Sequence, residues 1–195
     1  KNFDKEFYKN KDIHKYRVDN SQKYILYLDN KEKPNDNIIE YLKSFREKLE
    51  GRREVKKGTI NWWQLQWSRD KKIFTEPKIV SRQRNTKNAF ALVMDEFYAS
   101  ADVYYISSKD TSLNIYYILG YLNSDLFLRW FKINGKYKGE YLELYSTPLK
   151  EVPIIYEYDK NKMNYIVDLI QRQIDNYDEK VQNVINDFFN NKLNL

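Results

Sequence analysis

Residues 61–80 have the sequence NWWQLQWSRDKKIFTEPKIV and hold three of the chain's four tryptophans. They run directly into residues 81–88, SRQRNTKN, whose side chains are of the types that bond to phosphates and to base edges. Large aromatic side chains more often fill a core than stay in solvent, so we expect the first stretch to be scaffold and the second to be a contact loop. The aromatic residues predicted to be buried are Trp62, Trp63, Trp67 and Phe74.

The composition permits one folded domain with a weak preference for anionic partners. At 195 residues the chain can bury about 70% of the surface that its unfolded form exposes. Its 34 basic and 28 acidic residues leave a formal charge of +6. That excess favours an anionic partner, although scattered lysines more often form a solvated surface.

The chain has no cysteine and a single histidine, His14. This composition argues against most zinc sites, thiol nucleophiles and disulfide frameworks. A Ser-His-Asp or Cys-His catalytic arrangement would have to use His14, which lies in a charged N-terminal segment, so a structural or DNA-facing histidine is the preferred interpretation. None of the five glycines belongs to a phosphate-binding loop or a dinucleotide fingerprint.

Targeting signals are also absent from the sequence. No apolar run approaches the roughly 18 residues needed to span a bilayer, and the N-terminus has no signal-peptide pattern. We therefore expect a cytoplasmic protein. The chain begins at Lys1, and its only methionines are Met94 and Met163, which suggests a piece cut from a longer chain.

Periodicity predicts an α+β fold, with a small mixed or antiparallel sheet, packed helices and a long C-terminal helix. The predicted strands are residues 12–18, 24–28, 78–80, 89–93, 102–106 and 141–144, and residues 152–155 are also strand-like. A helix is predicted after a cap at Asn35 or Asp36, with Gly51 as a left-handed C-terminal cap. Two more helices are predicted, one from Leu113 to Leu122 and one capped by Ser124.

The last segment has the clearest helical pattern in the chain. An apolar residue recurs at alternating steps of four and three, which predicts one long helix over residues 159–195 after a domain of residues 1–158. Such a seam could pack on its own domain or bind a partner. The seam residues are Met163, Val167, Ile170, Ile174, Tyr177, Val181, Val184 and Phe188.

One carboxylate cluster imitates the end of a metal-dependent nuclease motif. Glu76 and Lys78 would share one face of a strand by alternation, with Asp70 upstream, as a magnesium site requires. Pro77 removes a ladder donor from that strand, which argues against this alternative.

Several segments together resemble the TaqI-like C-terminal specificity domain, over roughly residues 10–155. The matching pieces occur in the expected order and spacing, which makes the resemblance more specific than any one piece. They include Asp12-Ile13-His14-Lys15-Tyr16, Leu49-Glu50-Gly51-Arg52-Arg53, Trp63-Gln64-Leu65, Phe74-Thr75-Glu76-Pro77-Lys78-Ile79-Val80, Phe90-Ala91, Ile118-Leu119-Gly120-Tyr121-Leu122-Asn123-Ser124 and Leu149-Lys150-Glu151-Val152-Pro153-Ile154.

The resemblance implies the target-recognition part of an adenine-specific DNA methyltransferase or of a fused type IIG (Eco57I-like) restriction-modification enzyme. In such enzymes a preceding methyltransferase domain of the same polypeptide binds S-adenosylmethionine, so that cofactor is expected in the missing domain and none in this chain. The sequence has neither the cofactor glycine loop nor the Asn-Pro-Pro-aromatic tetrapeptide of that domain. The implied chain is therefore not catalytic by itself, and its expected partner is double-stranded DNA.

A duplex reader needs cations that reach phosphates and donors that reach base edges. Arginine suits paired bonds to guanine and amides suit adenine, whereas lysines suit phosphates. Two other functions stay open: a protein-interaction module that uses the C-terminal helix, and a single-strand binder that stacks tyrosines on bases. The predicted DNA-contacting residues are Arg69, Lys71, Lys72, Arg82, Gln83, Arg84, Lys87, Asn88, Lys136, Tyr137 and Lys138.

Overall fold

A computed structural model describes residues 5–29, 33–107 and 112–192. The contacts within the chain divide these residues into two compact units. The first unit contains Lys5 and residues 24–29 and 33–71, and the second contains residues 6–23, 72–107 and 112–192. The boundary predicted after residue 158 falls within the second unit.

The described residues form nine strands and nine α-helices, which confirms the α+β class. The strands are β1 (Lys5–Tyr8), β2 (Tyr24–Ile25), β3 (Lys78–Arg82), β4 (Arg84–Asn85), β5 (Phe90–Val93), β6 (Tyr98–Ala99), β7 (Val103–Ile106), β8 (Tyr137–Lys138) and β9 (Tyr141–Glu143). The helices are α1 (Asp36–Lys43), α2 (Arg46–Glu50), α3 (Arg53–Lys56), α4 (Lys72–Thr75), α5 (Ile115–Leu122), α6 (Asp125–Asn134), α7 (Ser146–Lys150), α8 (Lys160–Asp175) and α9 (Glu179–Asn191).

Strand β3 is the centre of an antiparallel sheet with the order β5-β3-β7. Val80 lies opposite Ala91 on one side and opposite Tyr105 on the other. Residues 78–81 are all buried, because apolar side chains pack on both faces of the strand. Because both faces of β3 are covered, its apolar residues Ile79 and Val80 are adjacent instead of alternating with polar residues.

Two smaller sheets complete the strand pairing. Strands β4, β9 and β8 form an antiparallel sheet in that order, and β1 pairs in parallel with β6. The predicted strand over residues 12–18 is reduced to isolated bridges, one of which joins Tyr16 to Ala91. Tyr16 has a φ of 65°, a conformation that is uncommon for residues other than glycine.

Helix α5 lies in the main core of the second unit. Its residues from Tyr117 to Leu122 are all buried, as expected for a helix that is apolar on every side. Asn114 caps its N-terminus, and Ser124 caps α6 by accepting a hydrogen bond from the backbone N–H of Phe127, as the sequence predicts. The helices α8 and α9 pack into the same core.

The predicted long C-terminal helix is present as α8, but the helical segment does not continue without interruption. Helix α8 ends at Asp175 and α9 begins at Glu179, after a cap by Asp178. The buried side chain of Gln173 stabilises the break, because its Nε2 donates to the Asp178 carbonyl at 2.6 Å and its Oε1 accepts from the Asp178 N–H at 2.9 Å. Residues 193–195 of the predicted helix lie outside the described residues.

The apolar seam of the C-terminal segment packs mainly within its own unit. Ile170 is fully buried in the core, together with Ile166 and Phe189 from neighbouring positions. Tyr177 and Val184 of the seam are 46% and 41% exposed, because the interruption between the helices shifts the buried face. Packing within the unit therefore explains most of the pattern.

The first unit is organised around the guanidinium group of Arg52. Its Nε donates to the Leu49 carbonyl at 3.0 Å, which caps α2, and its Nη1 and Nη2 donate to the Gln64 and Trp62 carbonyls at 2.8 and 2.7 Å. The arginine thus joins α2 to the tryptophan stretch. The predicted cap at Asn35 is confirmed, since its side chain accepts from the Ile38 N–H at 3.0 Å.

Three predictions for the first unit were wrong. Gly51 has a right-handed φ of −64°, because Arg52 supplies the capping bond instead of a left-handed turn. The predicted buried strand over residues 24–28 is only β2, and its Tyr24 is 61% exposed. Trp67 is 77% exposed, whereas Trp62 and Trp63 are half-buried and Phe74, in the second unit, is buried as predicted.

Candidate nucleic-acid interface

The polar run after Val80 contains the end of β3 and the short strand β4, and its segment from Arg82 to Asn88, here called the loop, is anchored at both ends to backbone carbonyls. At its start, Arg82 donates from Nε to the Ile13 carbonyl at 2.8 Å and from Nη2 to the Lys11 carbonyl at 3.1 Å. At its end, the buried Asn88 donates from Nδ2 to the Leu122 and Ser124 carbonyls, both at 2.9 Å. Both anchors therefore position the loop.

The loop between these anchors is paired with a second predicted segment. Its strand β4 pairs with β9, and β9 pairs with β8, which carries Tyr137 and Lys138. Within this sheet Arg84 lies opposite Glu143, and Lys138 lies opposite Tyr141. The structure thus brings Arg84 and Asn85 together with Tyr137 and Lys138 on one small sheet.

One side of this sheet packs on the core and the other faces solvent. Leu142, in the middle strand, is 1% exposed, so the side chains that alternate with it point outward. We call the outward side the basic face. It comprises Arg84, Lys136, Lys138, Tyr141 and Glu143.

Glu143 is the acidic residue of the basic face, and it orients Arg84. Its Oε1 lies 3.2 Å from the Arg84 Nε, and its Oε2 accepts from the Tyr145 hydroxyl at 2.8 Å. The Tyr145 hydroxyl and then Arg84 hold the pKa of Glu143 below its usual value, although its desolvation opposes them. The carboxylate is therefore ionised at neutral pH, and it offsets part of the charge of Arg84.

The β8–β9 hairpin carries two exposed tyrosines, of which Tyr141 lies on the basic face and Tyr137, opposite Leu142, lies on the other side of the sheet. Tyr137 is 42% exposed and Tyr141 is 51% exposed. The connecting turn is Gly139-Glu140, and Gly139 has a φ of 62°, which glycine adopts without a steric cost. This short turn fixes the register of the two strands, with Lys138 opposite Tyr141.

The other predicted contact residues are distributed over both units. Lys87 is exposed in the anchored loop, and Gln83 is half-buried there. Arg69 and Lys71 belong to the first unit, where the Lys71 ammonium lies 3.5 Å from the Asp29 carboxylate. Lys72 is exposed at the first position of α4 in the second unit.

The nuclease-like residues do not share a strand face. Glu76 lies before β3 and is exposed, whereas Lys78 is 1% exposed and donates from Nζ to the Phe74 and Asp95 carbonyls, both at 2.8 Å. Burial lowers the pKa of Lys78. In the described part of the chain no group of three or more carboxylate or histidine side chains could hold a metal ion.

A second cationic feature lies outside the predicted contact list. His14, Lys15 and Arg17 line a cleft of about 340 Å³ against the α8–α9 connection. Asp19 bonds to both His14 Nε2 and Arg17 Nη2, at 2.8 and 3.1 Å. Burial lowers the pKa of Lys15, and Lys87 acts in the same direction. The clustering of three basic residues within residues 14–17 was the available signal in the sequence.

The model of the TaqI-like C-terminal specificity domain matches residues 5–154, which include the basic face and both loop anchors. The chain belongs to this family. Within the matched range Lys78, Gly120 and Asn123 are all buried. Family membership assigns the chain to target recognition.

The specificity domain is similar to proteins named Type II methyltransferases. It is 28% identical over 208 residues to M.MjaIV of Methanocaldococcus jannaschii, across 96% of this chain and 68% of that protein. It is 26% identical over 185 residues to M.HincII of Haemophilus influenzae, across 84% of this chain and 36% of that protein. For M.HindII of Haemophilus influenzae the identity is 30% over 124 residues, across 60% of this chain and 24% of that protein.

The glycines of the described residues do not form a cofactor-binding loop. Gly58 and Gly139, the glycines with positive φ, lie in open turns rather than between a strand and a helix N-terminus. Gly120 is packed against Ile170 within α5. No step of methyl transfer is therefore assigned to these residues.

Across the described ranges, no helix combines the length and apolar character needed to cross a membrane.

Proposed function

We propose that this chain recognises a specific site in double-stranded DNA, as the target-recognition domain of an adenine-specific methyltransferase or a fused type IIG restriction-modification enzyme, and is not catalytic by itself. The observation that carries the proposal is the basic face, which combines the anchored loop with the lysine hairpin in a member of a specificity-domain family. The catalytic domain and its S-adenosylmethionine belong to the same polypeptide in this proposal.

The proposed contacts divide according to side-chain chemistry. Lys136, Lys138 and Lys87 contact phosphates, because an ammonium group is a mobile point charge. Arg84 and Gln83 contact base edges, because both side chains can form paired hydrogen bonds in the major groove. Arg82 and Asn88 act by positioning the loop, since their bonds to backbone carbonyls fix its ends.

Salt-dependent binding tests this division. The DNA probe is a duplex selected by the 195-residue chain from a randomised library, and binding is measured by fluorescence anisotropy at several salt concentrations. Replacing both Lys136 and Lys138 with alanine is expected to lower the log–log salt slope by about 1.8, at roughly 0.9 per phosphate contact. Arg84→Ala is expected to lose about 1 to 3 kcal/mol of discrimination at one base pair.

Lys160→Ala is the matched control, because Lys160 is an exposed lysine at the start of α8, away from the basic face in the sequence. It is expected to leave the slope and the preference unchanged. If the double lysine variant has the same log–log salt slope as the parent, Lys136 and Lys138 of the basic face do not contact DNA phosphates. Stronger competition by single-stranded DNA than by duplex would favour a single-strand binder, for which the exposed Tyr137 and Tyr141 offer stacking surfaces.

A further inference from the structure

Trp67 is an unusually exposed tryptophan in the first unit. Its side chain is 77% exposed, whereas Trp62 in the same unit is half-buried under the guanidinium group of Arg46, 5.1 Å from its ring centroid. Leaving a large aromatic side chain in water forgoes the free energy that its burial would contribute. A role outside the fold of the unit is therefore the natural explanation for Trp67.

The loop that carries Trp67 is held on both sides by one neighbouring segment. Before the tryptophan, the Leu65 N–H donates to the Leu28 carbonyl at 2.8 Å. After it, the Tyr27 hydroxyl donates to the Arg69 carbonyl at 2.9 Å and accepts from the Arg69 N–H at 2.6 Å. Burial raises the pKa of Tyr27, so this hydroxyl stays protonated and keeps both bonds. The indole is thus presented by a pinned loop.

The charge around this loop favours an anionic partner. Arg69 is exposed two residues after the tryptophan, and Lys71 follows with a side chain that is 48% exposed. Residues 24–71 contain 11 lysines and arginines against 8 aspartates and glutamates. Proteins that insert an apolar side chain between base pairs combine such a wedge with nearby cations that bind the phosphates.

We propose that Trp67 is a wedge that inserts at a base step of double-stranded DNA while Arg69 binds the adjoining phosphate. The proposal rests on the duplex recognition proposed above and adds a second DNA contact, carried by the first unit. Insertion partly unstacks the base step and unwinds or kinks the duplex. It therefore has a physical signature that an ordinary phosphate contact does not have.

Fluorine NMR of the 195-residue chain labelled with 5-fluorotryptophan tests contact directly. The chain has four tryptophans, and the resonance that disappears in Trp67→Phe belongs to Trp67. We expect that resonance to shift on addition of the selected duplex. We also expect Trp67→Ala to weaken duplex binding about tenfold and Trp67→Phe to retain most of the affinity, in line with the loss of one aromatic–base contact.

Plasmid relaxation by a type I topoisomerase tests insertion. At protein concentrations matched for equal DNA occupancy, the parent chain should shift the linking-number distribution and Trp67→Ala should not. Tyr158→Ala is the matched control, because Tyr158 is an 86% exposed aromatic residue in the second unit. It should behave like the parent in both assays.

The outcomes separate this inference from the proposed function. Duplex binding with an unmoved Trp67 resonance, or an equal linking-number shift in Trp67→Ala, overturns the wedge and leaves the basic face in place. If Trp67 contacts a protein rather than DNA, the chain would bind the duplex while the Trp67 resonance stays unmoved. A parent chain that binds no duplex overturns both proposals.

Discussion

Asn123 pairs with the backbone of Phe90 as if it were one residue of a neighbouring strand. Its Oδ1 accepts from the Phe90 N–H at 3.0 Å, and its Nδ2 donates to the Phe90 carbonyl at 2.9 Å. The side chain is fully buried at the end of α5. The reciprocal bonds satisfy both backbone groups of Phe90 on that side, and they connect α5 to the central sheet.

Asn123→Ala is expected to destabilise the fold by about 1 to 3 kcal/mol, because it leaves the buried Phe90 N–H unsatisfied, whereas the Phe90 carbonyl keeps a bond from the Tyr16 N–H at 2.8 Å. Asn123→Asp should be at least as harmful, since the carboxylate cannot donate to the Phe90 carbonyl. Urea unfolding followed by circular dichroism measures both variants. Asn183→Ala, at an exposed position of α9, is the control and should stay near the parent. Parent-like stability in Asn123→Ala would show that the paired bonds contribute little.

Gly120→Ala is expected to destabilise the fold by about 1 to 3 kcal/mol through overpacking. A Cβ at this position would lie 2.3 Å from the Cδ1 of Ile170, where α5 and α8 approach each other. Ile170→Val removes that methyl group, so the double variant should recover part of the loss. Gly51→Ala is the control, since the nearest atoms to its added Cβ are 3.4 Å away and its φ is right-handed. Thermal unfolding of the parent, Gly120→Ala, the double variant and Gly51→Ala measures these differences in stability.

The ion pair between Lys192 and Glu157 predicts a dependence of stability on acidity. Both side chains are nearly buried, at 12% and 10% exposure. Burial alone raises the pKa of Glu157, but the Lys192 ammonium and the Asp159 N–H outweigh it and hold the pKa below its usual value. The pair's contribution is therefore complete above the unfolded pKa of about 4.3 and disappears as the pH falls through the lower folded pKa.

Urea unfolding of the parent and of Lys192→Met between pH 6 and pH 3 measures this dependence. The parent should lose more stability than the variant over that range, so the difference between them should shrink on acidification. Lys160→Met, which changes an exposed lysine of α8, should follow the parent curve. A constant difference at all pH values would assign the effect of Lys192 to packing, including its position 5.3 Å from the Phe188 ring centroid.

Glu143→Gln is expected to strengthen duplex binding, because it removes the carboxylate that offsets Arg84 on the basic face. The gain should appear as a lower Kd at every salt concentration with a log–log slope near that of the parent, because Arg84 contacts a base edge rather than a phosphate in this proposal. Tyr145→Phe removes the hydroxyl bond to Glu143 but keeps its charge, so its affinity should stay near that of the parent. Weaker binding by Glu143→Gln would mean that the carboxylate serves mainly to orient Arg84.

The parts of the fold that were predictable are those set by local chemistry. The cap at Ser124 and the strand core at residues 78–80 depend on hydrogen bonds or burial that a short window reveals. The joining of residues 84–85 with residues 137–138 was not predictable in this way, because it depends on pairing across more than fifty residues. Each segment was identified separately, but their common surface required the structure.

The errors arose where tertiary contacts replaced a local signal. Tryptophan is a residue type typical of a core, but the bonds of Tyr27 and Leu28 hold the loop of Trp67 at the surface. The heptad seam predicts an unbroken helix, but Gln173 bonds to Asp178 and stabilises a turn. The DNA contacts predicted for Arg82 and Asn88 stay predictions, and the bonds that the structure gives these side chains are to backbone carbonyls.

The bonds of Arg82 and Asn88 to backbone carbonyls affect how the sequence of the loop can change in evolution. The acceptors are the backbone carbonyls of Lys11, Ile13, Leu122 and Ser124, so the acceptor groups themselves do not change when those four side chains change. Substitutions at Gln83, Arg84 or Lys87 alter the outward surface and leave Arg82 and Asn88 attached. If the proposed function holds, the same scaffold can therefore acquire new DNA preferences through substitutions in this loop.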